Sequence, residues 1–228
     1  ARPGPPVTTV LLALAAGALF GLLIALARWA LGRGADAEAG AAWTATIATV
    51  VVVVIAVAAG ELSGGSWSSL WPYVVIGAFA PGAAQLFFIH AVRAAGPSRT
   101  GIVIGVTPVL SAFMAIVALD ERPHAVLGLG TALIVLGGLT LAWEKTRPVD
   151  FRAIGLLLAA ACAVLFATRD NVYRGLTGED APPVLLATVV SVAAAAVVTI
   201  VWLVIRQRRE ISRTLVAAAG PFAPAGLA

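Results

Sequence analysis

Seven stretches of this chain run 16 residues or more without Asp, Glu, Lys or Arg: 3–27, 39–60, 62–92, 100–119, 123–143, 153–168 and 181–205. Short charged or turn-rich connections separate them. A bilayer core about 30 Å thick requires about 20 apolar residues at about 1.5 Å of rise each, and most of these stretches meet that length. In lipid every backbone N–H and C=O must be satisfied inside a helix or a closed barrel, and runs this long without alternation predict helices rather than barrel strands. The pattern predicts an all-α polytopic transmembrane helix bundle with spans over 7–31, 41–60, 71–92, 98–119, 123–143, 151–174 and 182–205. Gly64-Gly65-Ser66, Gly96-Pro97-Ser98, Arg122-Pro123 and Pro182-Pro183 punctuate the connections.

The tryptophans fit the same assignment. Trp29 and Trp43 flank the first loop, Trp67 and Trp71 precede the third span, Trp143 closes the fifth and Trp202 lies near the end of the seventh, which is the distribution of an interfacial aromatic belt. Composition agrees: 61% of residues are hydrophobic and 11% charged, against about a quarter charged in soluble domains.

The net charge of +4 raises the question of nucleic acid, but the 15 Lys and Arg cluster at span ends rather than in one patch. Retention of cations on the cytoplasmic side accounts for them. Connections 1–2, 3–4, 5–6 and 7–8 hold Arg28, Arg33, Arg93, Arg99, Lys145, Arg147, Arg152, Arg206, Arg208, Arg209 and Arg213, whereas the opposite side holds Arg2, Arg122, Arg169 and Arg174. That asymmetry places the richer side in the cytoplasm and Ala1 outside. Cys162 is the lone cysteine, so no internal disulfide forms, and a small buried side chain is its expected role. Two histidines far apart in sequence make no zinc site, and no nucleophile motif or phosphate-cradling glycine loop is present. No metal, cofactor or catalytic residue is expected. The chain starts at Ala1 and ends inside another apolar run, 214–228, with Pro221 and Pro224, which suggests a fragment cut within an eighth span.

An internal repeat is visible. Leu11-Leu12-Ala13, Leu19-Phe20 and Arg28 recur as Leu157-Leu158-Ala159, Leu165-Phe166 and Arg174, all at one offset of 146 residues. The second copy lies five spans after the first, and an odd displacement reverses it in the membrane, as in inverted-repeat transporters.

The run His90-Ala91-Val92-Arg93-Ala94-Ala95-Gly96-Pro97-Ser98, then Thr107-Pro108-Val109, Leu119-Asp120-Glu121-Arg122-Pro123, and Gly130 with Gly137-Gly138, resembles the EamA-type domain of the drug/metabolite transporter superfamily. The resemblance implies ten helices in two inverted five-helix repeats around a central cavity. On that basis residues 1–145 form the first repeat and 146–228 a truncated second one. Many relatives have a cytoplasmic N-terminus, which the charge pattern here does not match.

Candidate chemistry lies at the breaks. The third span holds Pro81-Gly82 and then Gln85; the fourth holds Thr107-Pro108 and Ser111. A proline inside a span removes a donor and frees a carbonyl, either as a kink satisfied by neighbours or as part of a substrate site. An amide in hydrocarbon must face partners, so Gln85 is expected in the bundle interior, sharing a polar cavity with the Thr107-Pro108 break. The sixth span ends in Arg169-Asp170-Asn171, at or just inside the hydrocarbon edge, with Asp170 and Arg174 spaced for an ion pair; this is a snorkelling cluster or a gate. Gly17 with Gly21 and Gly101 with Gly105 form GxxxG motifs, expected to pack helices closely. These features suggest a secondary transporter of small metabolites, exporter or permease, in the cell membrane, with spans 1, 3, 4 and 6 lining the path. The alternative is a non-transporting membrane subunit or scaffold, or an inactive fragment. The expected partners are the bilayer, a small-molecule substrate and a second copy of the chain in a homodimer, with no nucleic acid.

Overall fold

The computed structural model of the protein describes residues 7–118, 129–130, 132–133, 136, 152–176, 178, 181–207 and 211–227. Among these the regular elements are helical: α1 (Val7–Gly32), α2 (Ala37–Ala59), α3 (Trp67–Gly77), a π-helical segment (Ala78–Ala83), α4 (Ala84–Ala95), α5 (Pro97–Ile104), α6 (Thr107–Ala118), α7 (Ile154–Gly175), α8 (Val184–Arg206) and α9 (Ile211–Leu227). Six segments of the described residues are long and apolar enough to cross a bilayer: Val10–Gly32, Ala37–Ala59, Trp67–Ala95, Pro97–Val117, Ile154–Gly175 and Val184–Arg206. They are the first to fourth, sixth and seventh predicted spans. The predicted fifth span, 123–143, lies outside the described residues except at isolated positions, as do Glu121, Arg122 and Trp143.

Two spans begin four residues earlier than hydropathy indicates, because polar caps start them. Asp36 accepts a hydrogen bond from Ala39 N–H at 2.8 Å, and Glu38 then sits in the first turn of α2, where its charge complements the helix N-terminus. Ser66 accepts from Ser69 N–H at 3.3 Å and opens α3, so Trp67 and Trp71 lie within the helix rather than before it. Both tryptophans point outward, 72% and 51% exposed.

Small residues let the helices close on one another. α2 lies against α8, α9 and α4, while α7 lies against α4 and the α5–α6 pair. Thr49 on α2 donates to its own Ala45 O at 2.8 Å and lies 3.0 Å from Val192 O on α8. A Cβ at Gly77 would fall 2.4 Å from Ser191 O, and one at Gly155 would fall 2.6 Å from Ala95 N, so these two glycines permit backbone contact of α3 with α8 and of α7 with α4. The GxxxG glycines behave differently. Gly17 and Gly21 have nothing within 4 Å among the described residues, and Gly101 meets only the tip of Ile24 at 3.5 Å. A GxxxG pattern specifies a notch, not its occupant.

α1 and α7 run in opposite directions. The last turn of α1 (Arg28, Leu31) and the first turn of α7 (Ile154, Leu158) border one cavity. Eight residues further into each helix, Phe20 and Phe166 meet edge to face with ring centroids 6.4 Å apart, and Phe20 also lies 5.9 Å from Phe88 of α4.

Candidate functional site

The third span is broken in its middle. Pro81 has no N–H to give Gly77 O, Ala80 is extended (φ −142°, ψ 107°), the Ala80–Pro81 peptide is cis, and the chain resumes as α4 at Ala84. The break packs on the small face of α8, where a Cβ at Gly82 would lie 3.4 Å from Ala195 Cα. Gln85 follows in the first turn of α4, 8% exposed, and its Nε2 has no hydrogen-bond partner. A buried donor left unmatched costs about 1–3 kcal/mol, so this amide is the strongest candidate ligand contact in the third span. One turn on, Phe88 joins Phe20 and Phe166, which places an aromatic cluster on the same side of α4.

The fourth span breaks between α5 and α6, but this break is self-satisfied. Pro108 deprives Ile104 O of its usual i+4 donor, and the Thr107 hydroxyl donates to that same carbonyl at 2.6 Å. The freed carbonyl expected to face a cavity is therefore occupied by the neighbouring side chain, and Pro108 itself lies exposed on the helix surface. Thr107 and Pro108 shape the span rather than present unmatched groups.

Ser111 and Asn171 come together. Asn171 Nδ2 lies 3.0 Å from Ser111 O, 3.1 Å from Ser111 Oγ and 2.9 Å from Ala167 O, tying α7 to α6. Its Oδ1 is buried without a partner. Among the described residues, the buried side-chain atoms without a hydrogen-bond partner are thus the Gln85 Nε2 donor, the Asn171 Oδ1 acceptor and Gln207 Oε1 at the end of α8.

Arg169 and Asp170 pair with each other: Nη2 and Nε of Arg169 donate to Asp170 Oδ1 at 2.8 and 3.0 Å. Arg169 lies 4.9 Å over the Phe166 ring, which brings its guanidinium beside the Asp170 carboxylate. Next to this cluster Tyr173 donates to Ser191 Oγ at 2.6 Å, and Ser191 donates to Tyr73 O at 3.1 Å, joining α7, α8 and α3. Cys162 is buried, its Sγ 3.4 Å from Ala84 O, which fits the structural role expected of it.

One group escaped sequence reasoning. Glu38 is 8% exposed, with Oε1 3.4 Å from Arg206 Nε and 4.0 Å from His90 Nε2, linking α2, α8 and α4. It falls one residue before a charge-free stretch and reads as loop; the signal that could have found it is the cap at Asp36, which draws Glu38 into the helix.

No curated protein matches the sequence. The model of the EamA-like transporter family matches residues 7–143, more than half of the 228. Six apolar helices, spans broken at Pro81 and before Thr107, and this match agree: the chain is a multi-pass integral membrane protein and belongs to the EamA-like transporter family.

Proposed function

We propose that this transporter moves a small metabolite across the cell membrane by alternating access, as exporter or permease, along a path bounded by α1, the broken third span, α5–α6 and α7. The observation that carries the reading is the Gln85 Nε2 donor, buried inside a membrane-spanning segment with no partner. A substrate acceptor would satisfy it, and the unmatched Asn171 Oδ1 offers the complementary contact to a substrate donor. Pro81, Thr107 and Pro108 give the two spans their breaks, Ser111 fixes the Asn171 amide, and the Arg169–Asp170 pair stands at the polar edge. The opposite directions of α1 and α7, and the meeting of Phe20 with Phe166 at the 146-residue offset, support two inverted repeats with the second beginning near residue 146, which would let one repeat rock against the other.

The test measures metabolites accumulating in the medium of cells that overproduce the protein, against cells that do not. Gln85→Leu is expected to lower the accumulation of whichever metabolite rises, with membrane expression close to normal, since an apolar replacement does not impair insertion. Reduced expression or thermal stability with flux per molecule intact would make Gln85 structural and sink the assignment.

The charge asymmetry gives a second expectation. With cysteines placed singly at Ser66 and Ser212 in a Cys162→Ala background, an impermeant thiol reagent should label Ser66→Cys in intact cells and spare Ser212→Cys. Labelling of the Ser212 position alone would invert the topology.

A further inference from the structure

At the arginine-rich end of the bundle a cavity of about 650 Å³ opens between α1, the end of α4 and the start of α7. Among the described residues its walls are Arg28, His90, Arg93 and Arg152, with Leu31, Ala94, Ile154 and Leu158 as apolar surface. The three arginines come from three separate segments, and built contacts hold two of these segments, the end of α4 and the start of α7, together. Arg152 N–H donates to Ala94 O at 2.8 Å, and Gly155 lets α7 start directly against Ala94 and Ala95. Glu38 stands at the edge, 4.0 Å from His90, but its carboxylate is engaged by Arg206 at 3.4 Å and does not line the cavity.

Three arginines converging on a water-open hollow repel one another unless an anion joins them. Their planar forks match phosphate oxygens, and a volume in the range of about 300–1,000 Å³ suits a small-molecule site. The apolar part of the wall suits the carbon portion of an amphiphile. The charge asymmetry assigns this end to the cytoplasm, where anionic lipid headgroups and phosphorylated solutes both occur. We propose that this cavity binds a phosphate group, carried either by a lipid headgroup or by a free phosphorylated solute. Phosphate binding at this cavity does not depend on transport.

The experiment uses the chain purified in neutral detergent, with two probes: inorganic pyrophosphate followed by titration, and phosphatidylglycerol against phosphatidylcholine, followed as lipid retained in native mass spectrometry. Saturable pyrophosphate binding with equal retention of both lipids identifies a soluble source. Preferential retention of phosphatidylglycerol with no pyrophosphate binding identifies a lipid headgroup, and binding of both establishes the phosphate site for either source. In each case Arg93→Gln and Arg28→Gln should each weaken binding about tenfold, the loss of one charge-assisted contact. Arg33→Gln should leave it unchanged, because Arg33 lies at the same end but stacks 3.7 Å from the Trp29 ring instead of lining the cavity. Leu158→Trp fills the hollow without altering any charge and should weaken binding likewise, which keeps the test open if an arginine variant does not fold. Absence of saturable binding of either probe, an Arg33→Gln loss equal to that of Arg93→Gln, or full binding by Leu158→Trp overturns the proposal.

Discussion

Gly77→Leu is expected to deplete folded protein from the membrane, while Gly17→Leu is expected to leave it at the parent level. A Cβ at position 77 would lie 2.4 Å from Ser191 O and 2.6 Å from Ser191 Cα. Both are backbone atoms, and neither can rotate aside. α3 and α8 must separate to accept the side chain, which undoes the Ser191 to Tyr73 O hydrogen bond and the Tyr173 bond to Ser191 Oγ with it. Overpacking of this kind costs about 1–3 kcal/mol, and the lost hydrogen bonds add about 0.6 kcal/mol each inside a membrane bundle. At Gly17 nothing lies within 4 Å among the described residues, so the same change has room. Size-exclusion profiles and thermal melts in detergent read both. A Gly77→Leu protein that melts with the parent would refute the close approach of the two helices.

Asn171→Leu is expected to reduce flux at least about tenfold while lowering stability by only about 1 kcal/mol. The stability loss is the bond from Nδ2 to Ser111, one interhelical contact of the size measured in membrane bundles. The flux loss is larger because the unmatched Oδ1, the acceptor available to a substrate, disappears as well. Ser111→Ala separates the two effects: it removes one of the Asn171 partners but leaves Ser111 O and the Asn171 amide in place, so stability should fall slightly and flux should persist. Equal flux losses in Asn171→Leu and Ser111→Ala would show that the pair acts only as a brace.

The spans were legible because lipid enforces one rule, that an apolar run about 20 residues long must hydrogen-bond to itself, and no packing detail is needed to apply it. Their ends were less so. Hydropathy stops at the first charge, whereas the helix starts at its cap, which is why Glu38 and Trp67 lie inside α2 and α3. Family resemblance was carried by His90 through Ser98 and the Thr107-Pro108 pair, and the match over residues 7–143 agrees with it. Site geometry was legible only in part. Gln85 and Asn171 stand out as amides in apolar spans, but sequence alone gives no sign that Thr107 answers the carbonyl Pro108 frees, or that Arg169 turns to its neighbour. Those outcomes depend on rotamers and on local competition for acceptors. The meeting of Arg28, Arg93 and Arg152 is equally hidden, since each looks like an ordinary retention charge until the helices are placed.

The hydrogen bond from Arg152 to Ala94, with Gly155 seated against Ala94 and Ala95, fastens the start of α7 to the end of α4. In the proposed transport cycle such a clasp would serve as a fulcrum. Asn171 lies 16 positions beyond Gly155, about 24 Å along the helix axis, so a tilt of about 10° about the clasp carries it about 4 Å sideways while the arginine end scarcely moves. Under the proposed alternating access, a lever of this proportion would convert a small angular change at the arginine-rich end into an aperture the width of a small solute at the other.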